Sequence, residues 1–379
     1  MNSVVDVSQR PGAPRFVQPH GAVLSLVAAE GAAHGLWDAL RERAGRQPAD
    51  VALRYKQRGL WRGASWSGWF AGASRMALVL KRCGARAGDR VAIVLPDAPV
   101  WFEAAMAVVA LGATLVPVPS DVSRATVIDL MASVEGRFLL TLRADLLDVP
   151  GLTTVSPDTS MNTLTPADSV EREGPLTAAA IAWSDSGAAE LLSEGQLTQA
   201  ARGLAESAGG DRPGHLVSAL PASSAMGLAA RLALPFVSQR VVCLAEPGVT
   251  FFDTLADVEP DAVLASQLEW EQLWREVAQR RLEATPLHRW LFDMATRGNK
   301  APNVWSPQGL IAANLRSQLG LRHCRHAVSA QGPVSENARS FYTALGIGFS
   351  QIDMPTDATP DTAPRNPRPD PSTSEKETP

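Results

Sequence analysis

The chain has 379 residues, 45% of them hydrophobic, which is enough for two or more packed units of ordinary domain size. Its formal net charge is −4, from 35 Lys and Arg against 39 Asp and Glu. This balance offers no basic field to a phosphate backbone, so we expect no nucleic acid partner. Most basic residues are arginine, and chemistry that needs a lysine has four candidates, which are Lys56, Lys81, Lys300 and Lys376.

Three widely separated cysteines without a CxxC pair argue against a disulfide scaffold or a zinc ribbon. The run His-Cys-Arg-His at 323–326 is interpreted as the entry to a strand, where alternation separates the side chains, rather than as a metal site. Residues 1–20 lack the basic-then-apolar order of a signal peptide, and no apolar run reaches the length of a membrane span. We therefore expect a cytoplasmic protein with no transmembrane segment.

Helices and strands alternate through the first half of the chain. Residues 1–30 are predicted to form a flexible arm, and Gly84 suits the left-handed cap of a helix that starts at Ser67. The predicted helices are 35–44, 67–83, 99–112 and 124–134. The predicted strands are 90–95, 114–118 and 137–142. This alternation indicates a parallel sheet covered by helices.

A polar stretch, 156–174, separates a second α/β half from the first. Its predicted strands are 178–183, 215–220, 240–245 and 261–265. Its predicted helices are 194–207, 270–282 and 287–296. The Pro-rich tail, 358–379, is predicted to be disordered. The sequence thus predicts an α/β protein with two parallel-sheet subdomains, at about 35–155 and 175–357.

A long stretch that starts at Gly84 reads GARAGDRVAIVLPDAPVW and continues through ALGA to VPVP at 116–119. Shorter matches follow in order at 220–221, 245–247, 260–271, 286–293, 327–335 and 344–347. Over about 35–357 the chain resembles the adenylate-forming (AMP-binding) superfamily, and within it the bacterial long-chain acyl-CoA synthetases. The resemblance implies the large N-terminal domain of the acyl-CoA synthetase/luciferase-like fold over 31–357, with the small C-terminal domain absent.

Members of this family activate a carboxylic acid with ATP and magnesium and then transfer the acyl group to coenzyme A. Their phosphate loop is rich in Thr, Ser and Gly and carries a lysine, which offsets the charge of the triphosphate. The matching stretch is WSDSGAAELLSE at 183–194, which is shorter and has no lysine. The resemblance assigns vestigial nucleotide contacts there to Ser184, Ser186 and Gly187.

Two carboxylates, Asp185 and Glu190, occur in this stretch, near the expected position of the phosphates. At a few Å each repels a phosphate by roughly a kcal/mol or more, even at an effective dielectric constant near 20. No lysine occurs between Lys81 and Lys300, so a shifted alignment does not restore the missing cation.

The other family motifs are also altered. The magnesium motif Tyr-Gly-x-Thr-Glu falls on DMPTD at 353–357, which leaves Thr356 as a vestigial nucleotide contact and Asp357 as a vestigial magnesium ligand, or a solvated acidic loop. The adenine-contacting motif falls on SAQGP and gives the vestigial contacts Ser329, Gly332 and Pro333. The histidine that lines the acyl site in the family is replaced by Ser224.

Every site position that we compare departs from the family pattern, whereas core-forming positions are kept, so no catalytic residue and no certain cofactor is assigned. The sequence predicts a pseudoenzyme of the acyl-CoA synthetase (acid–thiol ligase) family. It would act as a non-catalytic binding, regulatory or partner subunit, with a protein partner or homo-oligomer and an acyl ligand. The alternative is a weakly active long-chain fatty acid–CoA ligase that uses ATP and Mg and needs a partner for the missing domain.

Overall fold

The computed structural model describes residues 35–157, 172, 179–183, 189–210, 212–244, 251–296, 306–330 and 332–352. The predicted arm 1–30 and tail 358–379 lie outside these residues. Within the described ranges the strands form two sheets flanked by helices, which confirms the predicted α/β class.

The described strands, in chain order, are β1 (Val51–Gln57), β2 (Leu60–Ser65), β3 (Arg90–Val94), β4 (Thr114–Pro117), β5 (Phe138–Thr141), β6 (Thr153–Val155), β7 (Ala180–Trp183), β8 (Ala189–Leu192), β9 (Gly214–Ser218), β10 (Arg240–Leu244), β11 (Ala262–Ser266), β12 (His326–Ala330) and β13 (Gly348–Ile352). The described helices are α1 (Leu36–Arg46), α2 (Trp66–Arg82), α3 (Pro99–Ala110), α4 (Arg124–Ser133), α5 (Glu194–Ser207), α6 (Ala225–Leu228), α7 (Leu234–Val237), α8 (Phe251–Val258), α9 (Gln267–Glu283), α10 (Pro286–Ala295), α11 (Pro307–Gln318) and α12 (Glu336–Ala344). A single π-helical turn, Ala229–Ala233, joins α6 to α7.

The seven-stranded sheet has the order β13-β12-β11-β9-β10-β1-β2. All its neighbouring strands are parallel except β1 and β2, which form an antiparallel hairpin. After β10 the chain crosses back over β9 to form β11, so the strand order reverses between β9 and β11. In open α/β sheets such a reversal opens a crevice at the carboxyl ends of the strands, where ligands bind.

The six-stranded sheet has the order β6-β5-β3-β4-β7-β8. Only the β7–β8 pair is antiparallel within this sheet. Every residue of β4, β5 and β7 is buried, as expected for strands that helices cover on both faces.

The two sheets do not follow the predicted division of the chain near 156–174. The hairpin of β1 and β2 comes from the first half, yet β1 pairs with β10 of the second. Likewise β7 and β8 come from the second half but complete the six-stranded sheet through β4. Ala52 and Leu53 of β1 and all of β7 are buried where these pairings form.

Helix α2 shows how the sequence directs the packing. The hydroxyl of Ser65 caps its first turn by accepting a hydrogen bond from the Gly68 amide at 3.1 Å. The helix ends before Gly84, whose φ of 91° confirms the predicted left-handed cap. Its buried face includes Trp66 and Trp69, which pack with Phe102 of α3 and Phe236 of α7. Among the described helices none has both the length and the apolar character to cross a bilayer.

Candidate functional site

The candidate site lies at the carboxyl edge of the seven-stranded sheet, where the strand order reverses. The segment 219–224 leaves β9 here, and the ends of β11 and β12 lie beside it. The six-stranded sheet reaches this edge through Trp183, whose amide donates a hydrogen bond to the Ser223 carbonyl at 2.8 Å. Ser224, Ser329 and Gly332, three residues predicted from the sequence, lie at this edge.

Parts of the predicted phosphate stretch belong to two paired strands, β7 and β8. Trp183 of β7 pairs with Ala189 of β8, so five residues, 184–188, join the two strands. The predicted contacts Ser184, Ser186 and Gly187 lie outside the described residues. Glu190, which was expected near the phosphates, lies within β8 opposite Ala182.

Ser224 is a helix cap rather than a group that faces a ligand. Its hydroxyl donates a hydrogen bond to the Pro221 carbonyl at 2.9 Å and accepts one from the Gly227 amide at 3.1 Å. The residue is 3% exposed. A Cβ at position 227 would lie 1.8 Å from the Pro221 oxygen, so this turn requires glycine. The serine at the family's histidine position therefore closes the start of α6.

An arginine at the same edge forms hydrogen bonds with segments that follow strands of both sheets. Arg231 lies in the π-helical turn and donates to the carboxylate of Asp97, which follows β3, with Nη2–Oδ2 and Nε–Oδ1 distances of 2.6 and 3.4 Å. Its Nη1 donates to the Leu220 carbonyl at 2.6 Å, and its guanidinium lies 5.9 Å from the Trp101 ring centroid. Its side chain is 7% exposed. The ion pair thus joins the segment after β9 to the segment after β3.

The predicted adenine segment forms a tight bend after β12. The buried Ser329 hydroxyl donates to the Gly332 carbonyl at 3.1 Å, and Pro333 is exposed. Gly332 has a φ of 113°, and a Cβ there would lie 2.7 Å from Oε1 of Gln267, the first residue of α9. This position therefore requires glycine, and the bend closes against the end of β11.

The predicted magnesium contacts Thr356 and Asp357 lie outside the described residues, a few positions after the end of β13. Across the described ranges there is no group of three or more His, Cys, Asp and Glu side chains that could hold a metal ion. In the run 323–326, burial raises the pKa of the Cys324 thiol to about 12. The neighbouring His323 lies 3.5 Å from Glu259, and His326 lies against Gly209.

A half-buried carboxylate, Glu103, lies on α3. The carboxyl group of Glu103 packs against α2 so closely that a Cβ at Gly72 would lie 2.2 Å from it. Burial raises the pKa of Glu103 to about 7, although the positive charge of Arg75 opposes that shift. This carboxyl group therefore titrates near neutral pH.

The described residues do not fit a triphosphate. Anion sites of this kind need backbone amides and cations that face the ligand. At this edge the hydroxyls of Ser224 and Ser329 are bonded to backbone groups, and the guanidinium of Arg231 is bonded to Asp97.

Sequence reasoning did not single out Arg231 and Asp97 as partners. Residues 225–237 read AMGLAARLALPFV, in which Arg231 is the one charged side chain. A lone charge in an apolar segment needs a partner when buried, and this is the signal that could have found it. Its partner lies 134 positions away in sequence, so only the fold identifies Asp97.

Comparison with known proteins supports the same fold. The AMP-binding enzyme family matches residues 40–201. None of the curated proteins compared with the chain matches it.

Several solved structures share the architecture. The nonribosomal peptide synthetase FmoA3 superposes with a TM-score of 0.64 at 17% identity, covering 88% of this chain and 32% of that one. For the N-terminal domain of FACL13 from Mycobacterium tuberculosis the TM-score is 0.62 at 16% identity, with 84% and 76% covered. For the O-succinylbenzoate coenzyme A synthetase MenE from Bacillus subtilis it is 0.60 at 18% identity, with 83% and 58% covered.

At these identities the likeness to solved structures is one of fold, and this chain spans about a third of the length of FmoA3. The family match and the superpositions agree on the predicted resemblance. Residues 40–201 therefore match the AMP-binding enzyme family, and the described chain has the fold seen in the N-terminal domain of FACL13 and in the matching part of FmoA3.

Proposed function

We propose that this protein is an acyl-CoA-synthetase-like pseudoenzyme, which has lost ATP-dependent carboxylate adenylation and acts as a binding, regulatory or partner subunit. The observation that carries the proposal is the short connection between β7 and β8. Because Trp183 pairs with Ala189, five residues remain to wrap a triphosphate. They include Asp185, and no lysine lies between Lys81 and Lys300. A carboxylate in a connection without a lysine would repel a phosphate, whereas a triphosphate site needs positive charge.

The acyl side of the same edge supports the proposal. The Ser224 hydroxyl both donates and accepts a hydrogen bond within the turn that starts α6. Arg231 and Asp97 neutralise each other across the two sheets. An acyl ligand that binds here would therefore contact a surface whose polar groups already serve the fold.

The test is carboxylate-dependent ATP–pyrophosphate exchange, measured with acetate, octanoate, palmitate and the amino acids as separate substrates. We expect exchange at the level of a control without protein, while an active acyl-CoA synthetase in the same assay gives a clear signal. Exchange well above the control for any of these carboxylates would contradict the proposal.

The alternative is a weakly active long-chain fatty acid–CoA ligase to which a partner protein contributes catalytic residues. The bend at Ser329 and Gly332 favours it, because the glycine with positive φ after β12 is kept. Calorimetric titration with Mg-ATP discriminates: the alternative requires binding in the millimolar range that Asp357→Asn weakens. The matched control is Asp148→Asn, an exposed carboxylate distant in sequence from the motif. Absence of nucleotide binding at millimolar concentration would remove the alternative.

Exposed apolar side chains on three successive helices support a protein partner or a homo-oligomer. The helices α9, α10 and α11 expose four large apolar side chains, namely Leu282 (69% exposed), Leu287 (62%), Trp290 (55%) and Leu310 (64%). Patches of this kind mark interaction surfaces in many soluble proteins. Light scattering after size exclusion should give a mass above that of the monomer, and Trp290→Glu should lower it. The control variant is Leu60→Glu on β2, and a wild-type monomer at high concentration would exclude the homo-oligomer.

A further inference from the structure

A second cleft lies at the amino edge of the seven-stranded sheet, away from the candidate site. It has a volume of about 670 Å³ and lies between the end of α1, the start of β1 and the segment from α7 to β10. A neighbouring cavity of about 400 Å³ shares Arg43, Gln47 and Phe236 with it. Sites for small molecules commonly have volumes of roughly 300–1,000 Å³.

The two edges of the sheet are separate places on the molecule. The cleft is lined by Val51, which starts β1, and by Arg240, which starts β10. The candidate-site residues Ser224, Ser329 and Gly332 lie at the opposite, carboxyl ends of the neighbouring strands β9 and β12. Five residues of parallel strand span about 16 Å, so a small ligand in the cleft would not reach them.

Aromatic rings form one wall of the cleft. Trp66, the first residue of α2, and Phe236 of α7 both line it, and their ring centroids are 5.6 Å apart. Behind them Trp69 stacks on both rings with centroid distances of 5.7 and 5.6 Å. Because each ring is packed against another, this wall is rigid. Trp66 is 6% exposed and Phe236 is half-buried, so Phe236 offers the more accessible apolar surface.

A cation is held against this wall. The Arg43 guanidinium lies 5.6 Å from the centroid of the Trp66 ring. Its Nη1 donates to Oε1 of Gln47 at 2.8 Å and its Nη2 to the Phe236 carbonyl at 3.4 Å. Both acceptors are neutral, so they orient the guanidinium without cancelling its charge. Arginine in such a position binds carboxylate in a bidentate manner.

The acidic residues nearby limit the charge of the ligand. Asp50 lines the same cleft and Glu42 lines the neighbouring cavity. Glu42 pairs with Arg46 at 2.7 Å, which leaves Asp50 as a negative group on the rim. A polyphosphate would meet this carboxylate, whereas a compact group with a single negative charge can reach Arg43 and avoid it.

We propose that the cleft binds a small planar aromatic or apolar molecule with a single carboxylate, whose apolar part packs on Phe236 beside Trp66 and whose carboxylate pairs with Arg43. This site is independent of the proposed loss of adenylation, since it uses none of the residues at the carboxyl edge. The proposed ligand carries a single negative charge, whereas a nucleoside triphosphate carries several.

The test is calorimetric titration of the full chain with 2-naphthoate and with its neutral analogue 2-naphthamide. We expect saturable 1:1 binding of 2-naphthoate, with the amide binding about tenfold more weakly because it lacks the charge. Arg43→Gln should weaken naphthoate binding about tenfold and remove the preference over the amide. Arg43→Lys should restore part of the affinity.

The matched control is Arg41→Gln, on the same helix, whose side chain pairs with Asp38 and lines neither cavity. Circular dichroism and the thermal midpoint verify that each variant folds. Equal affinities of the Arg43→Gln and Arg41→Gln variants would place the ligand elsewhere and overturn the proposal. So would the absence of naphthoate binding by the wild-type chain at millimolar concentration.

Discussion

The two edges of the seven-stranded sheet use polar side chains in opposite ways. At the carboxyl edge, Ser224, Ser329 and Arg231 are bonded to other groups of the protein. At the amino edge, Arg43 is oriented by neutral acceptors beside an open cleft. The comparison teaches that one edge of a sheet can use its polar side chains for contacts within the protein while the other edge carries a charged, accessible cleft.

Replacing Arg231 tests the structural side of this comparison with the largest expected effect. Arg231→Gln removes a buried guanidinium, its bonds to Asp97 and the bond to the Leu220 carbonyl. We expect the free energy of unfolding to fall by about 3 kcal/mol, although the 41% exposure of the Asp97 side chain lets water solvate the remaining carboxylate. Urea denaturation followed by circular dichroism measures the change.

A second variant, measured in the same experiment, tests how much of the loss comes from the charge of the Arg231–Asp97 pair. Asp97→Asn keeps a hydrogen-bond acceptor for Arg231 and should lose less stability than Arg231→Gln. If Arg231→Gln instead left stability unchanged and raised acyl or nucleotide binding, the carboxyl edge would be a ligand site held shut rather than a structural junction.

The half-buried carboxylate of Glu103 should make the stability of the protein depend on pH. Its pKa is raised from 4.5 to about 7, so it contributes stability that is fully present below about pH 4.5 and lost as the pH rises through about 7. The shift corresponds to about 3 kcal/mol, which partial exposure reduces to about 2 kcal/mol. We expect Glu103→Gln to exceed the wild type in unfolding free energy by that amount at pH 8 and to match it at pH 4.5.

The control is Glu206→Gln, which replaces an exposed carboxylate at the end of α5. Its difference from the wild type should not depend on pH over this range. A Glu103→Gln difference that stayed constant between pH 4.5 and 8 would contradict a carboxyl group that titrates in the folded protein.

Ser224→Ala tests whether the altered acyl-site position is only a cap. Loss of an N-cap hydroxyl costs about 1 kcal/mol of unfolding free energy. The matched variant is Ser335→Ala, which removes the equivalent cap of α12, where the hydroxyl accepts from the Ala338 amide at 3.3 Å. Similar losses in the two variants, measured by denaturation, agree with a structural role. Altered fatty acid binding by Ser224→Ala alone would contradict it.

Arg43→Gln completes the comparison with the smallest expected effect on stability. Arg43 is half-buried and its hydrogen-bond acceptors remain accessible to water, so the variant should change the unfolding free energy by under about 0.5 kcal/mol. Together with Arg231→Gln it gives the same substitution at both edges. A loss as large as that of Arg231→Gln would make the amino edge structural as well.

Much of the fold follows from the sequence, because its signals are local. The apolar stripe from Trp69 to Leu80 and the glycine at 84 predict α2, and the apolar run from Arg90 predicts β3. The resemblance that begins at Gly84 predicts the fold, which the superposed structures confirm. The hairpin of β1 and β2 was not predicted, since β2 is the edge strand and both strands carry polar residues.

The site was less predictable, because its contacts join residues that are far apart in sequence. The sequence assigned 183–194 to a phosphate loop, whereas Ala189–Leu192 forms β8 and pairs with β7. The cleft at the amino edge brings together Arg43, Trp66 and Phe236 from three separate helices. Each of them reads as an ordinary surface or core residue in its own segment, so only the packing reveals their common surface.

The hairpin of β7 and β8 also bears on how this chain could be re-engineered. Its Trp183–Ala189 pair fixes both ends of the five-residue connection, and Trp183 is anchored further by its indole bond to the Pro117 carbonyl at 3.3 Å. Lengthening a surface connection costs only about 0.6 kcal/mol for each doubling of its length. The scaffold should therefore accept a longer segment with glycines and a lysine in place of residues 184–188.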